Sequence, residues 1–502
     1  MIFEKIKFVT NKEEFLEKIL IYIRLVEVIA NRENLSVPEI TSSSPEVLKE
    51  MQDMGVIDEV KDLELLKKVL KKDYTRFLSA VAFYLSHKKL YGNQLDKLSN
   101  KKRKELQIKE AKSKKPKMVD FFAGAGGLSC GFTQAGFRVC FANDFEDVCV
   151  RTYRYNHPEL SSEKVLKEDI RKIVNDIDDY IVDEDIDVVV GGPPCQSFSS
   201  ANQRRIIDDP RNELYKYYIE AIKKICPKFV LMENVKGMLS VADQVVEDYK
   251  AIKIKKDGRE YTYDVSYRLL NSMNFGVAQS RERLIYLAIR DDIAYSKQVT
   301  PEVLFQEIEK AYEKNPHYNL QSALDFIKPL DAPRIKGMTE VDDEKTGMKI
   351  GVNCYNSCGN SYLSCINEGR QIPYVFNHKA RYCSDVNYEI FRRLDQGDDA
   401  TNPKIADIMP YARRNGIFKD KYYKLYADKP CRTITAHLRM DCLSHIHPYQ
   451  IRSITPREAA RVQSFPDDYL FLGAYLKTYM QIGNAVPVLM AKQIATIIKK
   501  YI

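Results

Sequence analysis

Residues 118–144 read MVDFFAGAGGLSCGFTQAGFRVCFAND. A short apolar segment runs into Gly124, Gly126 and Gly127. A helical stretch follows, and a second apolar segment, 138–144, ends on Asp144. Glycines after a strand permit a tight turn and let a ligand approach the peptide groups at a helix N-terminus. Asp144 stands 20 residues after Gly124, where an acid closing the second strand accepts hydrogen bonds from ribose hydroxyls. These residues point to a nucleotide-like cofactor. A nicotinamide dinucleotide fits them as well as S-adenosylmethionine does.

Outward from this unit, to about residue 290, apolar segments alternate with helical ones. The further strands are IDVVV (186–190), FVLMENV (229–235) and RLIYLAI (283–289), each ending in polar or glycine-rich sequence. The alternation predicts an α/β fold: a Rossmann-like, mostly parallel sheet with flanking helices over 118–290. Residues 1–100 carry apolar positions at helical spacing and predict an N-terminal helical domain. Residues 101–117, with nine Lys or Arg against two Glu, read as a basic linker that could meet phosphates. Residues 291–450, rich in Tyr, Asn, Asp and Lys, read as a small irregular domain. Residues 451–502 regain helical pattern and return to the sheet.

The chain has 502 residues, 44% of them hydrophobic, enough for a sizeable core. No apolar run is long enough to span a membrane, and the first residues lack a signal-peptide core. The expectation is a cytoplasmic protein without a membrane partner. Eleven cysteines are scattered without a disulfide pattern. Cys354, Cys358, Cys365 and Cys383 lack the paired spacing of a zinc site, so no metal is expected. The net charge of +8 is almost all in the basic segment.

The chemistry is carried by IDVVVGGPPCQSFS (186–199). A buried strand ends in Gly191-Gly192, two prolines stiffen the backbone, and Cys195 follows at the strand's carboxyl end, where α/β sheets bind ligands. A cysteine so placed is a nucleophile. Glu233, ending the next apolar strand on the same sheet edge, is its acid partner. A thiolate so placed can add to an electron-poor ring carbon of a substrate, and a carboxyl group beside a ring nitrogen assists by holding a proton there.

With these residues in hand, the sequence resembles the DNA (cytosine-5) methyltransferase family over about residues 118–502. Six motifs appear in the family's order: DFFAGAGGLS (120–129), GGPPCQSFS (191–199), ENV (233–235), QSRER (279–283), TPREAARVQSFPDDY (455–469) and QIGNAVPV (481–488). The resemblance implies that S-adenosylmethionine is the cofactor, held by Phe122, Gly124, Gly126, Asp144, Asp169, Ile170, Pro194 and Asn484. Asp169 suits the adenine amino group. Cys195 is then the nucleophile and Glu233 the contact to N3. Arg281 is expected to bind the target nucleotide, and Arg283 to support the site by pairing. The loop at about 196–210 is expected to close over duplex DNA, with DDPRNELYKYYIEAI (208–222) supplying the helix that follows it. The irregular domain corresponds to target recognition, with NHKARYCSD (377–385) and YYKLYADKPCRTITAH (422–437) as framework. A monomer is expected, with a cognate restriction endonuclease as the partner the resemblance raises.

Two features depart from the family: Asp144 stands where it often has Glu, and the N-terminal helices lie outside its core. The alternatives are a tRNA cytosine methyltransferase on the same fold, a nicotinamide-dependent oxidoreductase, which leaves GGPPCQ unexplained, and a DNA-binding regulator built on the N-terminal helices.

Overall fold

Seven strands form the central sheet of the computed structural model, which describes residues 12–181, 185–194, 213–355, 359–410 and 421–502. In chain order they are β1 (Lys117–Phe121), β2 (Arg138–Asp144), β3 (Val165–Lys167), β4 (Val188–Gly191), β5 (Phe229–Asn234), β6 (Tyr263–Asn271) and β7 (Glu282–Arg290). Their spatial order is β3-β2-β1-β4-β5-β7-β6. Strands β1 to β5 pair in parallel, and β7 is antiparallel to both of its neighbours. The expected mostly parallel α/β sheet is therefore present. Strand β6 was not legible: its residues alternate only weakly between buried and half-buried positions.

Both faces of the sheet are covered, which is why its central strands are apolar throughout. Val188, Val190 and Leu231 pack into one cluster. Val189, Val230 and Phe121 pack into another on the opposite face. The first cluster takes in helix α6 (Gly127–Gln134) and the C-terminal helix α12 (Val488–Lys499). A Cβ on Gly131 of α6 would lie 2.5 Å from the Ala491 Cβ and 2.6 Å from the Val488 carbonyl oxygen of α12. The chain's last helix thus returns against the helix that follows the glycine loop.

Residues 291–324 depart from expectation. Leu304, Phe305, Ile308, Leu320 and Ala323 belong to the same cluster as Met118 and Ile494, so this stretch is part of the sheet's own body. The smaller lobe has a separate core, with Ala332, Cys383, Ile390, Phe391, Tyr422 and Ile446. Between the two lies a hairpin of β8 (Gly347–Val352) and β9 (Tyr374–Lys379).

The N-terminal region is helical, as its periodicity predicts: α1 (Lys12–Glu33), α2 (Pro45–Asp53), α3 (Asp62–Leu70), α4 (Asp73–Leu95) and α5 (Asn100–Ala111). Helix α5 corrects the reading of 101–117 as a linker. Arg103 is buried and donates from Nη2 to the Arg154 carbonyl at 3.0 Å, and the Gln107 amide donates to the Pro158 carbonyl at 3.2 Å. Lys101, Lys102 and Lys115 pair with Asp53, Glu105 and Glu110. The segment leads into the first residue of β1, at the sheet edge opposite the glycine loop. At roughly 3.3 Å per residue, β1 separates the two edges by about 16 Å.

Candidate active site

Strands β1, β4 and β5 are in register at their carboxyl ends, with Phe121 beside Gly191 and Gly191 beside Met232. The next residues, Phe122, Gly192 and Glu233, therefore stand along one edge. Strand β7 runs the other way and sets Leu284 opposite Asn234, which brings Arg283 to that edge from its own amino end. A cleft of about 690 Å3 follows the edge. Its lining includes Phe122, Gly124, Asp144, Asp169 and Ile170 together with Pro194, Glu233, Arg281, Arg283 and Asn484. Cys195, with the rest of 195–212, lies outside the described residues.

The glycine loop is held from its own carboxylate. The Gly124 N–H donates to Asp144 Oδ2 at 2.8 Å, and the Glu146 N–H donates to Oδ1 at 2.8 Å. Burial raises the Asp144 carboxyl above the usual range, against those donors. Gly124 adopts φ +55°, with nothing within 4 Å of where a Cβ would stand. Gly126 does not line the cleft. It adopts φ +90°, and a Cβ there would lie 2.7 Å from the Tyr469 hydroxyl and 3.0 Å from His157 Nε2, so its task is the turn. Below the loop, the Ser129 hydroxyl donates to Asp120 Oδ2 at 2.6 Å and accepts from the Tyr153 hydroxyl at 2.7 Å. Burial pushes the Asp120 carboxyl up to about 7.

Asp169 caps the short helix at 170–175 through the Arg171 N–H, and its carboxylate also takes two donors from the Arg171 guanidinium, at 3.0 and 2.7 Å. These bonds with Arg171 hold its pKa below the usual carboxylate value. Phe145, which sequence reasoning missed, is 71% exposed and lines the cleft directly after Asp144. A large aromatic left in solvent at the mouth of a polar cleft is a platform for a stacked ring. The signal was available: Phe145 is the first residue after the second strand's terminal acid.

On the catalytic side Glu233 Oε1 pairs with Arg283 Nε at 2.8 Å, both side chains being largely enclosed. A Cβ on Gly192 would lie 2.9 Å from Glu233 Oε2, so glycine is what lets the carboxylate approach the loop's first residues. The Asn234 amide donates to the Pro193 carbonyl at 2.9 Å and fixes the same backbone. Arg281 is 1% exposed. It donates from Nη1 to the Ile434 carbonyl at 2.5 Å and from Nη2 to the Gly483 carbonyl at 2.8 Å. Burial depresses its pKa well below the ordinary guanidinium value.

The closing motif at 455–469 is charged in sequence yet buried. Arg457 donates to the carbonyls of Phe376 and Pro466, and Arg461 pairs with Asp467 at 2.7 Å. Helix α10 (Pro456–Val462) starts in a capping box between Thr455 and Glu458, and α11 (Tyr475–Asn484) ends at the cleft. A Cβ on Gly127 would meet the Val486 carbonyl oxygen at 2.6 Å, so the two ends of the fold touch beside the cleft.

Residues 116–500 match the C-5 cytosine-specific DNA methylase family. The chain belongs to that family. It is 32% identical over 403 residues to the type II methyltransferase M.DdeI of Desulfomicrobium norvegicum, covering 76% of this chain and 88% of that one. To M.AgeI of Thalassovita gelatinovora it is 31% identical, covering 76% and 99%. A crystal structure of a prophage-encoded E. coli protein, assigned as a DNA modification methyltransferase, shares the fold with a TM-score of 0.58 at 22% identity, over 77% of this chain and 99% of that one. The protein is thus a DNA cytosine-5 methyltransferase. The first 115 residues of the methylase lie outside the family match. Among the described residues, no helix of the methylase is long and apolar enough to cross a membrane.

Proposed function

We propose that the methylase transfers a methyl group from S-adenosylmethionine to carbon 5 of a cytosine extruded from duplex DNA, through a covalent bond between Cys195 and carbon 6. The observation that carries this reading is the Glu233–Arg283 pair. It stands against the Gly-Gly-Pro start of the cysteine loop, in the same cleft as the glycine loop and Asp144. Glu233 is set to hold N3 of the base and Arg283 to face its carbonyl. Arg281, spent on two backbone carbonyls, is the framework arginine. Arg283 thus keeps the pairing expected of it, with Glu233, and takes on the carbonyl contact expected of Arg281.

The cofactor side fits a nucleoside. Asp144 offers acceptors to ribose hydroxyls, Phe145 a face for adenine, and Asp169 with Ile170 the adenine edge. S-adenosylmethionine supplies a methyl carbon on a sulfonium. The Cys195 thiolate adds to carbon 6, and the electron pair moves to carbon 5 while Glu233 keeps the proton at N3. Carbon 5 takes the methyl group, the carbon–sulfur bond of the donor breaking with its pair left on sulfur. A solvent base then takes the carbon-5 proton, the C–H pair closes the double bond between carbons 5 and 6, and the carbon 6–sulfur pair leaves with Cys195 as thiolate. Bisulfite sequencing of DNA from a methylation-free host expressing the protein should show one sequence context protected. Uniform conversion would overturn the proposal.

Two expected results belong here. Asp144→Ala removes the acceptor of the Gly124 and Glu146 N–H groups along with the ribose contact. It should weaken cofactor binding by about 1.5–3 kcal/mol, roughly ten- to a hundred-fold, in calorimetry. Unchanged affinity would rule out the ribose role. Replacing Lys104, Lys109, Lys112 and Lys114 with Gln should leave the salt dependence of DNA binding almost unaltered, because α5 lies at the sheet edge opposite the cleft. A slope reduced by about 0.9 per lysine would show phosphate contacts instead. A cognate restriction endonuclease and a cytoplasmic location complete the proposal.

A further inference from the structure

We propose that the N-terminal helices are a brace that locks the β8–β9 hairpin to the cofactor lobe, with Glu17 as its ionic node, and so positions the recognition lobe on DNA. The proposal rests on the DNA-methylating reading above. It concerns residues that the family match leaves out.

An isolated two-stranded hairpin is marginal in water and needs a covering surface. Helix α1 shares that task with α10, whose Arg457 holds the Phe376 carbonyl. Ile350, Tyr374 and Phe376 of the hairpin share one buried cluster with Phe15, Ile19 and Leu25 of α1. Tyr155 of helix α7 (Asp147–Asn156) joins the same cluster, so the brace touches both bodies. Arg24 donates from Nε to the Ile350 carbonyl at 3.1 Å, and Arg32 to the Asn353 carbonyl at 3.3 Å.

Glu17 joins the two sides through one carboxylate. Its Oε1 accepts from Lys349 Nζ of β8 at 2.7 Å, and its Oε2 pairs with Arg151 of α7. Glu14 adds a second partner for Arg151 at 3.5 Å. Helix α7 begins directly after the Asp144–Glu146 turn of the cofactor cleft. The hairpin leads to the other lobe: His378 Nε2 contacts the Lys328 carbonyl oxygen at 2.7 Å, and the Tyr475 hydroxyl at the start of α11 donates to the Lys379 carbonyl at 3.0 Å. Helix α11 ends on Gly483 and Asn484 at the cleft. One side chain therefore ties the ribose-binding turn, through α7, to the strand pair from which the recognition lobe hangs.

The test is charge reversal in the full-length protein. Glu17→Arg sets three cations together. It should raise KM for DNA at least tenfold, leave cofactor affinity of the DNA-free protein within twofold, and speed amide exchange in 347–352. The triple variant Glu17→Arg, Arg151→Glu, Lys349→Glu, made together with Glu14→Gln so that no like charge faces position 151, rebuilds the node with opposite signs and should restore both KM and exchange. A Glu17→Arg protein with wild-type KM and wild-type exchange would overturn the brace. So would a loss of cofactor affinity, kcat and Tm together that the triple variant does not rescue, which marks general damage. Wild-type protein that methylates no DNA would overturn the parent reading itself, an outcome seen before any variant is made.

Discussion

Cys195→Ser protein is expected to lose methylation by on the order of a thousand-fold or more, while still binding duplex DNA. A serine hydroxyl is scarcely ionised near neutral pH and adds poorly to carbon 6, but the thiol is not what holds the duplex. The target base must leave the stack for carbon 6 to be reached, at a cost of a few kcal/mol. A cytosine with fluorine at carbon 5 cannot lose a proton there after methyl transfer. The wild-type enzyme with S-adenosylmethionine and fluorocytosine DNA should therefore accumulate a complex that survives denaturing gels. Cys195→Ser should form none. An adduct mapping to another cysteine, or wild-type turnover by the serine variant, would refute the mechanism. The buried Cys130, Cys149, Cys431 and Cys442 are poor rivals, because burial raises their thiol pKa values.

The second large effect separates the two arginines. Glu233→Gln keeps shape but not charge, and should lower kcat by about a hundred- to ten-thousand-fold, the range for a lost acid–base group. Arg283→Ala should act on the same step, since it loosens the carboxylate and leaves a gap at the base's carbonyl. Its double variant with Glu233→Gln should fall well short of the product of the two losses, as coupled neighbours do. Arg281→Ala should behave differently. It strands two buried carbonyls and opens a cavity between β7 and α11, for about 2–5 kcal/mol of stability. Thermal unfolding tells them apart: Arg281→Ala should lower Tm by many degrees while Arg283→Ala lowers turnover. If Arg281→Ala is as stable as wild type and only inactive, the assignment is reversed.

Much of this site could be read from the chain because its determinants are local. Apolar strands that run into Gly124, Gly191 and Glu233 announce a parallel sheet and its ligand edge, since side chains at the ends of adjacent parallel strands share one edge whatever lies between them. The arginines were ambiguous for the opposite reason. Arg281 and Arg283 have the same chemistry and alternate along one strand. Only the partners 153 and 202 residues away, the Ile434 and Gly483 carbonyls, show which one is tied to the framework, leaving the other beside Glu233. Strand β6 and the true extent of the small lobe were hidden because their burial is set by long-range contacts. Helix α5 was hidden because a lysine-rich composition outweighed Arg103 and Gln107, whose docking cannot be seen until Arg154 and Pro158 are placed.

The contact between α6 and α12 has a consequence for synthesis. The glycine loop leaves the ribosome more than 350 residues before Val486 and the α12 residues that close against it. At about 5–20 residues per second, that interval is on the order of twenty to seventy seconds. Throughout it the α12-facing side of α6, at Gly127 and Gly131, stays uncovered. A nascent or interrupted chain that already contains the cysteine loop, Glu233 and Asp144 therefore lacks a finished cofactor cleft. A chain interrupted before Gly483 has no Asn484, Ala485 or Val486 to complete the lining of the cleft.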